Sequence, residues 1–329
     1  MKNDFVIAGV YIAAIIGAGF ASGSEIVHYF VKYGNMSIIG IIISSVLFGV
    51  LAGVILSDSK KMQINTFMEY TKKILPKKIS YIIKAATIFF MFSVFVAMVS
   101  GGGETLSELA NLKKYIGVGI ILAFSALVLL FDVRGLMAAN GFMSAVMVIG
   151  IVAICFYIFF FREIEVFNYS TKWAASGVVY TGYNILTAGA VLPPMGSFCK
   201  KPARAGIISG ALIFILLSVL WGIISIYYGK IPLGSLPMIT ICKRHGMIIS
   251  SVYSVILFIA MLTTALANGF ALVDAVKGNR VIKVGFLTAL GFLFSGISFD
   301  FFVKDIYKYA GFTGVFLMLI ILLKKIIKK

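Results

Sequence analysis

Read by its hydrophobic and polar positions, the chain is a succession of long apolar runs separated by short clusters of charge, glycine and proline. The runs lie near residues 5–31, 37–57, 82–103, 115–131, 135–161, 173–198, 205–228, 247–273, 281–299 and 305–323. At about 1.5 Å of rise per residue each run can cross a hydrocarbon core of roughly 30 Å, so the pattern predicts ten transmembrane helices. The polar stretch from Asp58 to Lys78 holds Thr66-Phe67-Met68-Glu69-Tyr70 between lysine pairs, which predicts a short helix lying in the interface. The first run is too long and too rich in glycine for a signal peptide and is expected to stay in the mature chain.

Composition agrees with the pattern. Hydrophobic residues make up 61% of the 329 positions and charged residues 12%, with a mean hydropathy of +1.06, against about 45–50% and 25% in soluble proteins. An all-α integral membrane protein is expected. The net charge of +17 is unevenly spread. Lys60, Lys61, Lys72, Lys73, Lys77 and Lys78 share one connection, Lys200, Lys201 and Arg204 a second, and Lys277, Arg280 and Lys283 a third. The tail Lys324-Lys325-Ile326-Ile327-Lys328-Lys329 falls on the same side. By the positive-inside rule both termini are cytoplasmic and the chain is a multi-pass protein of the cell (plasma) membrane, with membrane lipids as neighbours. Basic residues divided among loops form no nucleic-acid patch, so nucleic acid is excluded as a partner. Cys155, Cys199 and Cys242 match no zinc spacing and no paired disulfide framework, and read as packing residues.

Two places break the apolar pattern. IIGAGFASGSE, Ile15 to Glu25, puts three glycines, two serines and a carboxylate inside the first run, although glycine costs about 1 kcal/mol against alanine in a helix interior. YNILTAGAVLPPMG, Tyr183 to Gly196, carries two consecutive prolines inside the sixth run. Interrupted segments at corresponding places in two halves point to a transporter's binding site. With five helices per half the second half enters from the opposite side, so the repeat is inverted: 5–161 and 173–327 within one domain, 1–329. Unwinding after Ile16 frees the carbonyls of Ala13 to Ile16 and the amides of Gly19 to Ser22. Freed carbonyls suit a cation and freed amides a carboxylate, so an amphoteric solute such as an amino acid fits both. The competing reading is a glycine face for close helix packing. In the eighth run, IAMLTTALANG, Ala260, Thr263 and Thr264 share a face; two hydroxyls and a carbonyl opposite two carbonyls of the first helix make a shell of about five oxygens for a small hard cation. The alternative is that each threonine only bonds the carbonyl one turn back.

The GAGFASGSE break, the GAVLPP break, the LTT run and the ten-helix inverted repeat together resemble the LeuT-fold transporters of the amino acid–polyamine–organocation superfamily. GAGFASGSEI in particular resembles the YkvI-like membrane proteins, and the resemblance spans essentially the whole chain. It implies an amino-acid carrier working by alternating access, with helices 1, 2, 6 and 7 rocking against the rest. The substrate site it implies is Gly17, Ala18, Gly19, Phe20, Ala21 and Ser22 with Thr187, Ala188 and Gly189, under Tyr183 as an outer aromatic lid; interface packing is the other reading of Tyr183. The cation site it implies, for Na⁺ as coupling ion, is the main-chain oxygens of Ala13, Ile16 and Ala260 with the hydroxyls of Thr263 and Thr264. No covalent cofactor is implied. Proton-coupled relatives carry a lysine on the fifth helix, and 135–161 contains none.

Four carboxylates remain: Glu25, Glu104, Glu108 and Asp300. The topology places them toward outer helix ends, as an acidic vestibule that concentrates cations or as solvated ends. His28, three residues beyond Glu25, is expected to pair with it or to be a satisfied interface histidine. Gly101-Gly102-Gly103 predicts a close backbone approach. An enzyme is not expected, since the chain has no HExxH and no Gly-x-Ser-x-Gly. A proton-coupled or uncoupled carrier, and a nutrient-sensing receptor on the same fold, are the other functional readings. Substrate identity and oligomeric state are not legible.

Overall fold

The structure, a computed structural model, describes residues 2–131, 147–158 and 172–327. Among the described residues there is no β-strand. The first apolar run forms three pieces, α1 (Lys2–Ile15), α2 (Ala18–Ser22) and α3 (Ser24–Tyr29). Then come α4 (Ser37–Met62), α5 (Phe67–Ile74), α6 (Lys77–Ala110), α7 (Lys114–Leu130) and α8 (Met147–Ile158). The second part holds α9 (Trp173–Thr187), α10 (Leu192–Met195), α11 (Pro202–Tyr227), α12 (Pro237–Arg244), α13 (Met247–Ala275) and α14 (Arg280–Phe294). It closes with α15 (Phe299–Phe301), a π turn (Phe302–Ile306) and α16 (Tyr307–Ile327). Among the described residues five stretches, Ser37–Met62, Lys77–Ala110, Pro202–Tyr227, Met247–Ala275 and Phe299–Lys325, are long and apolar enough to cross a membrane alone. The expected segment 135–161, with its missing lysine, lies outside the described residues except for α8.

Local chemistry explains the boundaries. Thr66 caps α5 by accepting from the Glu69 amide at 3.1 Å, and Glu69 reaches back to the Asn65 amide at 3.2 Å, a capping-box arrangement. The expected interfacial helix at 66–70 therefore forms, one turn longer than its core. The turn before the last helix falls at 295–298 rather than the expected 299–305. Ser298 caps the new start by accepting from the Phe301 amide at 3.3 Å, so the final helix begins six residues early. The amphipathic α12 was not foreseen; Pro237 in its first turn pre-sets the helical φ there.

Small residues set the packing, as in membrane helices generally. The antiparallel helices α4 and α11 cross at Gly49 and Gly206: a β-carbon on either would meet the other's carbonyl oxygen. On the other side of α4, Gly40 and Gly177 bring α9 into backbone contact, and Ser44 Oγ donates to Gly177 O at 2.8 Å. Gly182 meets Gly311 and Gly314 where α9 crosses α16. The glycine run in α6 does what its composition predicts: a β-carbon on Gly103 would lie 3.0 Å from Lys114 O.

Candidate functional site

Each of the three glycines in the GAGFASGSE stretch has its own job. At Gly17 the backbone is extended (φ −85°, ψ −175°) and its amide turns to Ile15 O at 2.8 Å, so Ala13 O loses the amide a continuous helix would supply. At Gly23 the chain enters the left-handed region (φ 82°), which side chains disfavour, and swings α3 away from α2. That swing folds the Glu25 side chain back over Gly19. A β-carbon on Gly19 would lie 2.7 Å from the Glu25 carboxyl carbon, so only glycine leaves the notch in which the carboxyl rests.

Glu25 is 4% exposed, and its Oε2 has no hydrogen-bond partner. It forms part of the wall of a small cavity of about 50 Å³ beside the Gly17 break. Rings surround it: Tyr29 and Tyr183 at 5.4 Å between centroids, Tyr183 and Tyr307 at 5.0 Å, Phe90 and Tyr307 at 5.2 Å. Tyr180 and Tyr183 face the carboxyl with their hydroxyls, short of hydrogen-bonding geometry. The π turn ahead of Tyr307 sets that ring into the cavity.

Of the residues singled out in the sequence, Gly17, Ala18, Gly19, Tyr183, Thr187 and Thr264 line this cavity together. Thr264 is the part of α13 that reaches the break, 3.6 Å from a β-carbon placed on Gly17. Both threonine hydroxyls donate to Ala260 O, Thr263 at 3.0 Å and Thr264 at 2.8 Å. Phe20, Ala21 and Ser22 are buried elsewhere: Ser22 Oγ bonds Gly19 O at 2.9 Å, and Ala21 O accepts from Tyr253 OH at 2.6 Å. Ala188 and Gly189 lie beyond the cavity, Gly189 against Phe67 of α5. Because Ala21 N bonds Gly17 O at 3.0 Å, the amides left over at the start of α2 are those of Ala18 to Phe20, not Gly19 to Ser22.

Three further expectations change. The second interruption is milder than the first: Ala188–Val191 tightens to a 3-10 turn, and the capping residues Thr187, Ala188, Val191, Leu192 and Gly196 all stay in the right-handed region. The two prolines fall in the first turn of α10, where a missing amide hydrogen leaves no helical bond unmade. The acidic vestibule is absent, because Glu104 pairs with Lys114 at 2.8 Å, Glu108 with Lys243 at 2.9 Å, and Glu25 is buried. His28 pairs with Asp300 at 2.7 Å instead of Glu25, and Ser24 Oγ donates to Asp300 at 3.4 Å.

The sequence reading missed Asn184, Asn268, Tyr307 and the inward turn of Glu25, all on the cavity wall. Asn184 and Asn268 stood within the two quoted runs, at helical spacing from Tyr180 and Thr264 whose carbonyls they bond at 3.1 and 2.9 Å. Polar contacts hold the first apolar run to its neighbours both before and after the break. At the end bearing the N-terminus, Asp4 accepts from the amides of Lys200 and Lys201 at 3.0 and 3.3 Å, and Lys60 Nζ donates to Cys199 O at 2.8 Å. At the opposite end stand the His28–Asp300 pair and the Tyr253–Ala21 bond.

These features define a multi-pass helical membrane protein with a small cavity at a helix discontinuity, a fold shared with transporters. No family model matches the sequence. The uncharacterized membrane protein YkvI of Bacillus subtilis (strain 168) is 25% identical over 331 residues, covering 97% of this chain and 95% of that one. YyaD of the same organism is 24% identical over 336 residues, covering 97% and 96%. Among solved structures, MhsT in complex with L-phenylalanine superposes with a TM-score of 0.67 at 14% identity, over 95% of this chain and 88% of its own. A Na⁺-coupled sialic acid symporter in a substrate-bound outward-open state gives 0.66 at 12%, over 95% and 78%. An Eremococcus coleocola manganese transporter variant gives 0.63 at 12%, over 96% and 76%. At such identities the likeness is one of fold, and these neighbours are transporters rather than enzymes.

Proposed function

We propose that the chain is a secondary active transporter of amino acids or similar small amphoteric solutes, coupled to Na⁺ and working by alternating access. The observation that carries this reading is the Gly17 discontinuity facing Thr264 and Thr187 across one cavity, with polar contacts holding the first run before and after the break. Backbone left unpaired inside a membrane persists where it lines a cavity or binds something.

In this reading the ten apolar segments form one domain, 1–329, of two inverted five-helix halves, 5–161 and 173–327. Reciprocal packing of α4 with α11 through Gly49 and Gly206, and the packing of α6 on α13 and α7 on α14, fit counterparts related by a two-fold axis in the membrane plane. The lysine-rich end is cytoplasmic and carries both termini, in the plasma membrane. Substrate occupies the break at Gly17, Ala18 and Gly19 with Thr187, under Tyr183; Phe20, Ala21, Ser22, Ala188 and Gly189, singled out with them in the sequence, lie outside the cavity. Na⁺ takes the main-chain oxygens of Ala13, Ile16 and Ala260 and the hydroxyls of Thr263 and Thr264; hydroxyls that donate to Ala260 O keep lone pairs for an ion. Ion binding would tie α13 to the broken first helix and so link the ion to the rocking of the bundle.

The test is uptake of a mixed panel of labelled amino acids into proteoliposomes, with and without an inward Na⁺ gradient, for wild type and Thr263→Ala/Thr264→Ala. Gradient-driven accumulation lost in the double variant supports carrier and ion site together. Uptake indifferent to Na⁺ removes the sodium coupling, and ligand binding without uptake removes the carrier.

A further inference from the structure

A carboxyl buried inside a membrane protein is costly unless it meets a partner, and it marks a functional site by default. Asp4, Asp58, Glu104, Glu108, Asp274 and Asp300 all have partners in the structure. Glu25 differs. Among the described residues no lysine, arginine or histidine forms an ion pair with it, although it is 4% exposed and its Oε2 is unbonded. Aromatic rings and two side-chain amides share its cavity wall with aliphatic residues.

Glu25 shares the cavity wall with the rings of Phe90, Tyr183 and Tyr307, and Tyr29 and Tyr180 pack against Tyr183 behind that wall. Aromatic faces attract a compact ammonium through their quadrupoles, most strongly when desolvated. Asn184 and Asn268, on the same wall, spend amide hydrogens on Tyr180 O and Thr264 O, which leaves their side-chain oxygens as acceptors. The cavity of about 50 Å³ has room for a few waters or a methylammonium-sized group, not for a whole amino acid. The notch at Gly19 fixes where the carboxyl sits, so the negative group is placed before any ligand arrives.

We infer that Glu25 and the tyrosine box around it form the subsite for an organic ammonium group, so that the transported solute is an amine or an amino acid held there by its cationic nitrogen. The assignment deepens the transporter reading and rests on it for the word "transported"; the binding itself is tested without transport. The purified full-length protein in detergent, at constant ionic strength, is titrated with methylammonium chloride, and its thermal midpoint is followed. Sodium and potassium chloride serve as parallel probes and N-methylglucamine as the bulky control. The expected result is protection by methylammonium in wild type, lost in Glu25→Gln and largely kept in Glu25→Asp. Tyr307→Leu, which keeps the carboxyl and removes one ring, should weaken the apparent affinity by about 3–30-fold. This second variant decides the matter if Glu25→Gln does not fold. Equal protection of wild type and Glu25→Gln, or no effect of Tyr307→Leu, overturns the assignment. So does protection by Na⁺ or K⁺ at the same concentration that is lost in Glu25→Gln, which would make the bound cation inorganic. Failure of the uptake experiment alongside Glu25-dependent methylammonium binding would remove the carrier and leave this subsite standing.

Discussion

Replacing Gly19 by alanine puts a single methyl group where the Glu25 carboxyl rests, 2.7 Å from the carboxyl carbon and 3.0 Å from the methylene before it. Two opposing effects follow. Gly19 lies within α2, where alanine is intrinsically favoured over glycine by about 1 kcal/mol. Overpacking a filled site costs about 1–3 kcal/mol, and here the lower part of that range applies because the displaced group is the end of a flexible side chain. The net effect in wild type is thus small, and the informative quantity is the coupling between the two positions. With Glu25→Ala as background the clash is gone, and Gly19→Ala should become stabilising by up to about 1 kcal/mol. With Glu25→Gln the shape is retained and the penalty should persist. The coupling of about 1–3 kcal/mol corresponds, by globular-protein scaling for a chain of this length, to roughly 2–5 °C between backgrounds. Thermal midpoints of the six proteins in one detergent measure it. An identical effect of Gly19→Ala in all three backgrounds would mean that Glu25 does not rest on Gly19, and the cavity as described would be wrong.

Asp4→Asn should loosen the contacts at the N-terminal end. Cys199, 1% exposed, has its thiol pushed up to about 11 by burial, with the Asp4 charge adding to it, so it stays protonated and reacts slowly with maleimide at pH 8. Losing one charge-assisted bond of about 1.5–3 kcal/mol should raise its labelling rate by about 10-fold or more, and an unchanged rate would show that Asp4 does not hold this end. At the other end, His28→Ala and Asp300→Asn should each lower the thermal midpoint, and the double variant should be no worse than the more damaging single one; simple additivity would deny the pair. Gly206→Leu should cost most of the folded protein because α4 and α11 touch backbone to backbone there, while Gly9→Leu, which meets nothing within 4 Å, should be silent; equal yields in size-exclusion chromatography would contradict the described crossing.

The long apolar segments were legible because a membrane-spanning helix needs only an uninterrupted hydrophobic run, which a sequence displays directly. The interruption at Gly17 was legible too, since glycine clusters are costly inside a helix. What could not be read is direction. Glu25 turns inward because Gly23, two residues before it, adopts φ 82° and because Gly19 leaves a notch six residues away. Both glycines stand in the same stretch as Glu25, but their spelling does not say which way the chain turns at them. Tyr307 enters the cavity through a π turn that hydropathy does not register, and the final helix starts early because one serine, Ser298, caps it. The double proline marks the second interruption without making it: the chain tightens at Ala188–Val191, and the prolines sit in the first turn of the helix that follows.

Alternation of access to the cavity is the central claim, and Thr264, which lines it, reports on it most directly. Thr264→Cys, in a protein whose Cys155, Cys199 and Cys242 are replaced by serine, is reconstituted in liposomes and exposed to a membrane-impermeant thiol reagent from either side. The account predicts labelling from each side under some condition, with Na⁺ and an amino-acid mixture shifting reactivity from one side to the other. Reactivity confined to one side under every condition, or equal and simultaneous from both, would contradict it.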